Sequence, residues 1–474
     1  MKPKTIAIIG GGSAGFTAAR VASDLGARVL FFMGDDPEHA SLCIDAGCMP
    51  SKALFEPIDR MHHAKRHGWL EVRPREPERY LEQVVRWKDG EIKRFRDYRN
   101  SAIRARASDR FQIIRASACL RGPHEVESAG VRYTFDAAVI ATGSIGTVPP
   151  IEGLDLSSDG VWTSSEILHN TTIPESLAVI GAGAIGLELS LRYARLGSEV
   201  TLLSRSLLLP DYPPEFGKRM QIIYEHENIR VLTSRKATRI ARTSTETYQV
   251  QVEGPHRTEQ ITSEKVLVAA GRRPAVDDLN IAAAGIACGD NGRLEIGDDM
   301  RICGQTHLFA AGDVTGKRMS VHHAHIEAGI AAENAVNDGD RKWRRRSNIA
   351  VIFSDPEFAY AGLTPSDAEK TGCRLVRASA ESRDVGKLHL AGNDLGFGEF
   401  CADANDGRLL GAGLLCDGAS ELIHLPAYAI DHEHTVHTLV DAEFYHPTKT
   451  GIIPEISDAL CRRLGGHPLE RAKE

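Results

Sequence analysis

The chain has 474 residues, too many for one hydrophobic core, and should divide into about three domains. Its net charge of −7 argues against nucleic acid as a main partner, and its apolar runs are too short for a signal peptide or a membrane span, so a cytoplasmic protein is expected. Nine cysteines, an odd number scattered over a long chain, do not form a secreted disulfide framework, and a persistent disulfide in a reducing compartment would be a working one.

The segment from Thr5 to Gly15 reads as a strand, a tight turn on Gly10, Gly12 and Gly15, and the start of a helix. Glycines permit such a turn and let the backbone approach a pyrophosphate, which the unpaired N–H groups of the helix N-terminus then receive. A second strand should follow Leu25 and Gly26, ending at Met33, where an acid holding the adenosine ribose is expected; Asp35 or Asp36 could reach it instead. Next comes the run Ser41-Leu42-Cys43-Ile44-Asp45-Ala46-Gly47-Cys48-Met49-Pro50-Ser51-Lys52. Two thiols beside a bound dinucleotide suggest a dithiol/disulfide redox centre. An ideal helix would hold their α-carbons about 7.5 Å apart, beyond disulfide reach, so the turn must be irregular. Gly47 can supply an unusual backbone angle, and Pro50 suits the first turn of a helix from about Ser51. A zinc site is a bland alternative, but four intervening residues lie at the edge of zinc spacing and no second Cys pair follows at a matching interval; two inert buried cysteines are another, free Cys being among the most buried residue types.

The glycine unit recurs from Leu177, with Gly181, Gly183 and Gly186, and its second strand follows Leu196 and Gly197. Two copies in register imply two dinucleotides. In the second copy the acid position is Ser204, followed by Arg205 and Ser206, a cationic, hydroxyl-rich pocket suited to a 2′-phosphate, so NADP(H) is favoured over NAD(H) although Gly186 as third glycine favours NADH. The basic stretch from Arg341 to Arg346 reads as a solvated linker. Histidines at 62–63, 322–325 and 432–434 are read as packing or surface groups, and no metal site is expected.

With these motifs, and with Ala141-Thr142-Gly143, Ala270-Gly271-Arg272-Arg273-Pro274, Ala310-Ala311-Gly312-Asp313, Phe353-Ser354-Asp355-Pro356-Glu357 and Tyr445-His446-Pro447-Thr448, the chain resembles the class I pyridine nucleotide-disulfide oxidoreductases over nearly its whole length. Gly418 to Ile423 resembles the dihydrolipoamide dehydrogenase branch. The resemblance implies an α/β protein with two Rossmann-like dinucleotide-binding domains and a C-terminal α+β dimerisation domain: residues 1–148 form the first part of the FAD domain with the redox disulfide, 149–271 the NAD(P) domain, 272–344 the second part of the FAD domain, and 345–474 the dimerisation domain. Thr142, Gly143 and Gly271 mark the crossings between domains, and Gly312 and Asp313 the second FAD motif.

By the same resemblance FAD occupies the first glycine unit and NAD(P)H the second. Electrons pass from nicotinamide through flavin to Cys48, while Cys43 exchanges with the substrate disulfide. Lys52 and Glu188 match a buried ion pair near the flavin. His446 is the general acid/base, and because the family's His enters the other subunit's site, a homodimer is implied. The chain departs from the family where a Glu should orient that His, since Gly451 stands there; Glu455 could replace it only through a rearranged backbone, given Gly451 and Pro454. The glycine pair usual before Cys43 is also absent, and the lone Cys461 counts against mercuric reductase and large thioredoxin reductases. The implied activity is electron transfer between NAD(P)H and a dithiol/disulfide substrate, lipoamide on a carrier protein being the first choice. The alternatives are an NADPH-dependent reductase of a small disulfide or metal ion, resembling glutathione or mercuric reductase, and a degenerate redox-sensing dimer resting on Met33 and Gly451.

Overall fold

The computed structural model describes residues 2–36, 41–65, 76–289, 292–344, 346–392 and 394–466. Strand β1 (Thr5–Ile9) is buried beyond its first residue, which explains its unbroken apolar run: a parallel strand covered on both faces has no solvent side to alternate toward. Helix α1 (Ser13–Asp24) returns the chain to β2 (Arg28–Phe32), which pairs parallel with β1. Three helices follow, α2 (Leu42–Asp45), α3 (Cys48–Lys65) and α4 (Pro77–Arg104), before β3 (Phe111–Ile114). A small antiparallel sheet of β4 (Ala118–Gly122), β5 (Glu125–Ser128) and β6 (Val131–Thr134) leads to β7 (Ala137–Ile140) and the short β8 (Ser144–Gly146).

The chain then builds a second unit from β9 (Val161–Thr163), helix α5 (Ser164–Ile167), β10 (Ser176–Ile180), α6 (Ala184–Leu196), β11 (Glu199–Leu203), α7 (Pro214–His226) and β12 (Arg230–Leu232). An antiparallel sheet of β13 (Lys236–Arg242), β14 (Tyr248–Glu253) and β15 (Thr258–Ser263) precedes β16 (Lys265–Val268). Its parallel sheet has the order β12-β11-β10-β16-β9. Strand β17 (Arg272–Pro274) pairs antiparallel with β8, so the outgoing and returning crossings lie side by side. Strand β18 (Leu308–Ala310) then completes the first sheet in the order β18-β7-β1-β2-β3, and α8 (Val321–Asn337) packs against α1.

The C-terminal unit is a five-stranded antiparallel sheet, β19 (Ala350–Ile352), β20 (Glu357–Gly362), β21 (Leu375–Glu381), β22 (Phe397–Asp403) and β23 (Leu409–Cys416), in the order β19-β20-β23-β22-β21. Residues 341–344 have neither helix nor strand structure.

Two local expectations are corrected. Helix α3 begins at Cys48 and not near Ser51, which puts Pro50 inside its first turn, where a missing N–H costs nothing. Gly47 does not adopt a left-handed angle; it is needed for room, since a Cβ there would stand 2.8 Å from the Leu42 carbonyl oxygen and 3.2 Å from the Cys43 Cα.

The three units meet around one buried guanidinium. Arg195 of α6, its side chain 1% exposed, bonds Asp59 of α3 at 2.8 Å, Glu227 at 2.7 Å and Asp355, just before β20, at 2.7 Å. His62 and His63, the last-turn histidines of α3, pair with Glu227 and Asp355 at 3.3 and 2.7 Å. Burial alone would raise the Glu227 carboxyl, but hydrogen bonds from His62 and Arg195 outweigh it and bring it to about 2. Removing the cation would leave three largely buried carboxylates to be held by Arg192 and the two histidines, so Arg195→Met should destabilise the protein by about 3–5 kcal/mol, read as a lowered chemical-denaturation midpoint at pH 7. Because Glu227 is depressed from 4.5 to about 2, its share of that stability is complete above pH 4.5 and lost as pH falls toward 2; the gap between parent and variant should close across that range.

Candidate functional site

A cavity of about 1240 Å³ runs between the first glycine turn, the Cys43–Lys52 segment, the start of α6 and the beginning of α8. Gly10, at φ +121°, sits so close to the next strand that a Cβ would stand 2.2 Å from the Ala141 oxygen, and one on Gly15 would stand 1.8 Å from the Gly10 oxygen. Only glycine fits either place. Gly12 caps α1 with no side-chain partner, which leaves the first N–H groups of the helix to the cavity. Gly143 and Thr142 line the same space, and the Thr142 hydroxyl donates to the Ala275 carbonyl at 2.6 Å, tying one crossing to the other. Gly312, at φ +81°, presents Asp313 to the cavity; the Asp313 carboxylate accepts from the Ser144 hydroxyl at 2.6 Å, and Ser144 in turn accepts from Arg272 at 2.8 Å.

Met33 is buried and lines the cavity, and its carbonyl oxygen is what a Cβ on Gly11 would strike, at 2.6 Å. Asp35 is committed elsewhere, accepting from the Ser117 N–H and hydroxyl at 2.8 and 2.5 Å, bonds that lower its pKa.

Both thiols are free and line the cavity, and the surface exposed by Cys48 faces it. Cys43 lies in the short α2, capped by the Ser41 hydroxyl, while Cys48 opens α3 after the break at Ala46 and Gly47. That break brings the two sulfurs together. The Cys43 thiol donates to Cys48, which holds the Cys43 proton and raises its pKa, with burial adding to the effect. The same bond, helped by the Lys52 cation, lowers Cys48 to about 7 in spite of burial. The dithiol is thus asymmetric: the hydrogen bond and the Lys52 cation favour the thiolate at Cys48, and the proton is kept at Cys43.

Lys52 bonds the Glu188 carboxylate at 2.7 Å, and the other carboxylate oxygen accepts from the Phe353 N–H at 2.9 Å. The Phe353 ring lies 4.3 Å from the Lys52 nitrogen, and Arg192 of α6 donates to the Phe353 carbonyl at 2.5 Å. Lys52 and Glu188 therefore face the cavity as a pair fixed from the third domain.

The second glycine turn has the same geometry as the first. Gly181 stands at φ +111°, and Cβ atoms on Gly181 and Gly186 would lie 2.2 and 1.8 Å from backbone oxygens, while Gly183 caps α6. Arg205 is exposed just past β11, with Ser204 buried beside it, and no acidic partner reaches it among the described residues.

His446 is exposed and lies outside the cavity of its own chain. No carboxylate reaches it among the described residues. Gly451 adopts ordinary helical angles before the helix Ile452–Arg463, whose first turn accommodates Pro454 and carries an exposed Glu455. The expected obstacle at Gly451 and Pro454 is therefore not one, yet no hydrogen bond or ion pair joins Glu455 to the His among the described residues. Of the histidine groups, His322 and His323 line the cavity, with the buried His323 ring bonded to Ser320, while His432 stacks on Tyr428. Among the described residues no three His, Cys, Asp or Glu side chains are placed to hold a metal, and no helix is long and apolar enough to cross a membrane. Sequence reasoning misses Ser144, Arg192, Phe353 and Arg99. Only Phe353 lies in a quoted motif, and the one signal from the arginines is a charge on a helix face that is otherwise buried.

The residues present fit FAD: a glycine cradle whose first helix N–H groups have no acceptor among the described residues, an acidic Asp313, and a cavity lined by both thiols. The family model described as pyridine nucleotide-disulphide oxidoreductase matches residues 4–328, and the model for that family's dimerisation domain matches 349–456. A dihydrolipoyl dehydrogenase of Thermus scotoductus is 31% identical over 474 residues, 98% of each chain. A mercuric reductase of Streptomyces lividans is 30% identical over 451 residues, 94% of this chain and 93% of that one. The solved HOCl-induced flavoprotein disulfide reductase RclA from Escherichia coli shares the fold at a TM-score of 0.83, covering 96% of this chain and 99% of that one at 23% identity.

The thiol asymmetry can be measured in the reduced protein. Alkylation of Cys48 by iodoacetamide should rise with pH through a midpoint near 7. Lys52→Met and Cys43→Ala should each move that midpoint upward, since each removes a group that favours the thiolate. A midpoint unchanged in both variants would mean that neither group lowers the thiol.

Proposed function

The chain belongs to the pyridine nucleotide-disulphide oxidoreductase family, and on that premise we propose that it is an NADPH-dependent, dihydrolipoyl dehydrogenase-like enzyme acting on a dithiol or disulfide of the lipoamide type. FAD and a pyridine nucleotide come with the family, as does a dimerisation domain. The observation that carries the reading is the paired thiols Cys43 and Cys48 lining the cavity beside Lys52, with Cys48 lowered to about 7.

When bound, FAD supplies two-electron exchange between nicotinamide and dithiol. The chain's own residues do the rest. The glycine turn at Gly10, Gly12 and Gly15 would receive the pyrophosphate, and Asp313, held by Ser144, would offer a carboxylate to the flavin's polyol chain. Lys52, with its charge fixed by Glu188 and Phe353, keeps a cation near the reacting end. Cys43 holds its proton against Cys48 and therefore needs a base before it can attack a substrate sulfur. We assign that base to His446 contributed by a second copy of the chain, its exposure outside its own cavity suiting such a role. Gly181, Gly183 and Gly186 would seat the pyridine nucleotide, with Arg205 at its 2′-phosphate and Gly271 at the crossing.

One observation favours the metal-ion branch of the second reading: His446 has no orienting carboxylate among the described residues, and a metal-ion acceptor places less demand on a proton donor. Steady-state assay of the flavin-loaded enzyme with lipoamide, glutathione disulfide and Hg(II) decides between them; activity on the metal ion alone would replace the first reading.

Two further outcomes are expected. NADPH should reduce the bound flavin more efficiently than NADH, and Arg205→Ala should narrow the ratio by about 10- to 100-fold, the worth of a charge-assisted contact; equal efficiency in the parent would remove Arg205 from the site. His446→Ala should leave reduction by the nucleotide nearly intact but slow disulfide turnover by roughly 10²-fold, the low end for general acid–base catalysis. Gly451→Glu tests the converse: the backbone is helical there, and its Cβ would stand 3.2 Å from a Val385 methyl carbon, which must shift by a few tenths of an ångström.

A further inference from the structure

Arg99, on the long helix α4, is only 7% exposed, yet no carboxylate pairs with it among the described residues. Asp45, the acid whose charge acts on it most, is bonded to Arg96 and to the Ser41 N–H, both at 2.9 Å. The guanidinium instead donates from Nη2 to the Gly11 and Gly12 carbonyls at 2.5 and 2.9 Å and lies 5.2 Å from the Phe16 ring centre. Its Nη1 is buried with no hydrogen-bond partner among the described residues. A cation in this state is under strain from desolvation, and burial lowers its pKa to about 10.

The two carbonyls identify what the charge is for. The Gly11 carbonyl belongs to the same peptide group as the Gly12 N–H, and the Gly12 carbonyl to the same group as the Ser13 N–H. Gly12 and Ser13 both line the cavity, and neither N–H has an acceptor within the described residues. A donor on the oxygen side of a peptide polarises its N–H toward a stronger bond on the other side. No side-chain donor reaches the Ala182 or Gly183 carbonyls of the second turn among the described residues, so the device belongs to the first turn alone.

We propose that Arg99 is a cofactor-positioning residue, a buried cation behind the first glycine turn that polarises the two peptide groups receiving the FAD pyrophosphate and is itself balanced by that dianion. The proposal rests on the reading that FAD occupies the first glycine unit. It makes the flavin-free protein a molecule with an uncompensated buried charge, and flavin binding the step that relieves it.

The test uses the full chain, stripped of flavin, as parent and as Arg99→Lys, Arg99→Gln and Arg99→Met. The FAD dissociation constant is read from quenching of flavin fluorescence, and the melting temperature is read with and without flavin. Gln and Met should weaken FAD by about 10- to 100-fold, with Lys in between, because a charge-assisted contribution is lost. The flavin-free Met variant should melt at or above the parent, and NADP⁺ affinity should stay unchanged. FAD affinity equal to the parent in Gln and Met overturns the proposal, as does a flavin-free melting temperature that falls as far as the flavin-loaded one, which would make Arg99 a structural cation. If Gln and Met fail to fold, Lys decides: weakened FAD with a parental flavin-free melting temperature supports the role, and parental FAD affinity rejects it. A parent that takes up no FAD refutes the cofactor reading itself, and this proposal with it.

Discussion

One face of helix α6 holds the protein together. Glu188, Arg192 and Arg195 stand three or four residues apart, hence on the same side of the helix, and all three are buried among groups from other domains. Glu188 reaches Lys52 and the Phe353 backbone, Arg192 reaches Asp59 and the Phe353 carbonyl, and Arg195 gathers Asp59, Glu227 and Asp355. Buried charges like these add little net stability once desolvation is counted. They do restrict geometry, because each carboxylate can be satisfied in only one arrangement of the three domains. The ion pair at the end of the cavity is therefore positioned by the whole molecule and not by the loop that carries Lys52.

The same constraint explains the electronics of the thiols. A cation that wandered would lower Cys48 only intermittently; Lys52 is held by a carboxylate on one side and an aromatic face on the other. The short α2 and the break before Cys48 do the complementary work of aiming one thiol at the other. Charge and hydrogen bonding thus favour the thiolate on one sulfur while its neighbour keeps the proton.

How much of this was legible in the sequence depended on how local the signal was. The glycine turns could be read because backbone sterics at Gly10, Gly15, Gly181 and Gly186 allow no substitute, and the repeat announced itself. The cysteine turn was legible in outline, since an unbroken helix could not join the thiols; but the role of Gly47 lay in how closely the Leu42 carbonyl approaches it, which spacing does not reveal. The obstacle expected from Pro454 disappeared because a helix tolerates proline in its first turn. Arg192 and Arg99 were invisible for a different reason. Their partners, Phe353 and the first glycine turn, lie far away along the chain, and nothing about a lone arginine in a helix says which carbonyl it will meet. Met33 could be flagged as a departure, but only the folded chain shows that its backbone, packed against Gly11, closes that side of the cavity.

The two crossings between the dinucleotide units have a different kind of consequence. Strands β8 and β17 pair as one short antiparallel ladder, and the Thr147 N–H donates to the Gly271 carbonyl at 2.9 Å. The second dinucleotide unit is thus plugged into the first through adjacent ends, like a cassette in a socket. Such an insertion can be exchanged as a block without rethreading the host sheet, whose own strands β7 and β18 sit side by side without it. The thiols and Lys52 belong to the host, but Glu188, which fixes Lys52, comes from α6 of the insert, and Phe353 from the C-terminal unit. In a fold wired this way, the insert can be replaced over evolutionary time, or at the bench, provided the replacement keeps the α6 face that fixes Lys52.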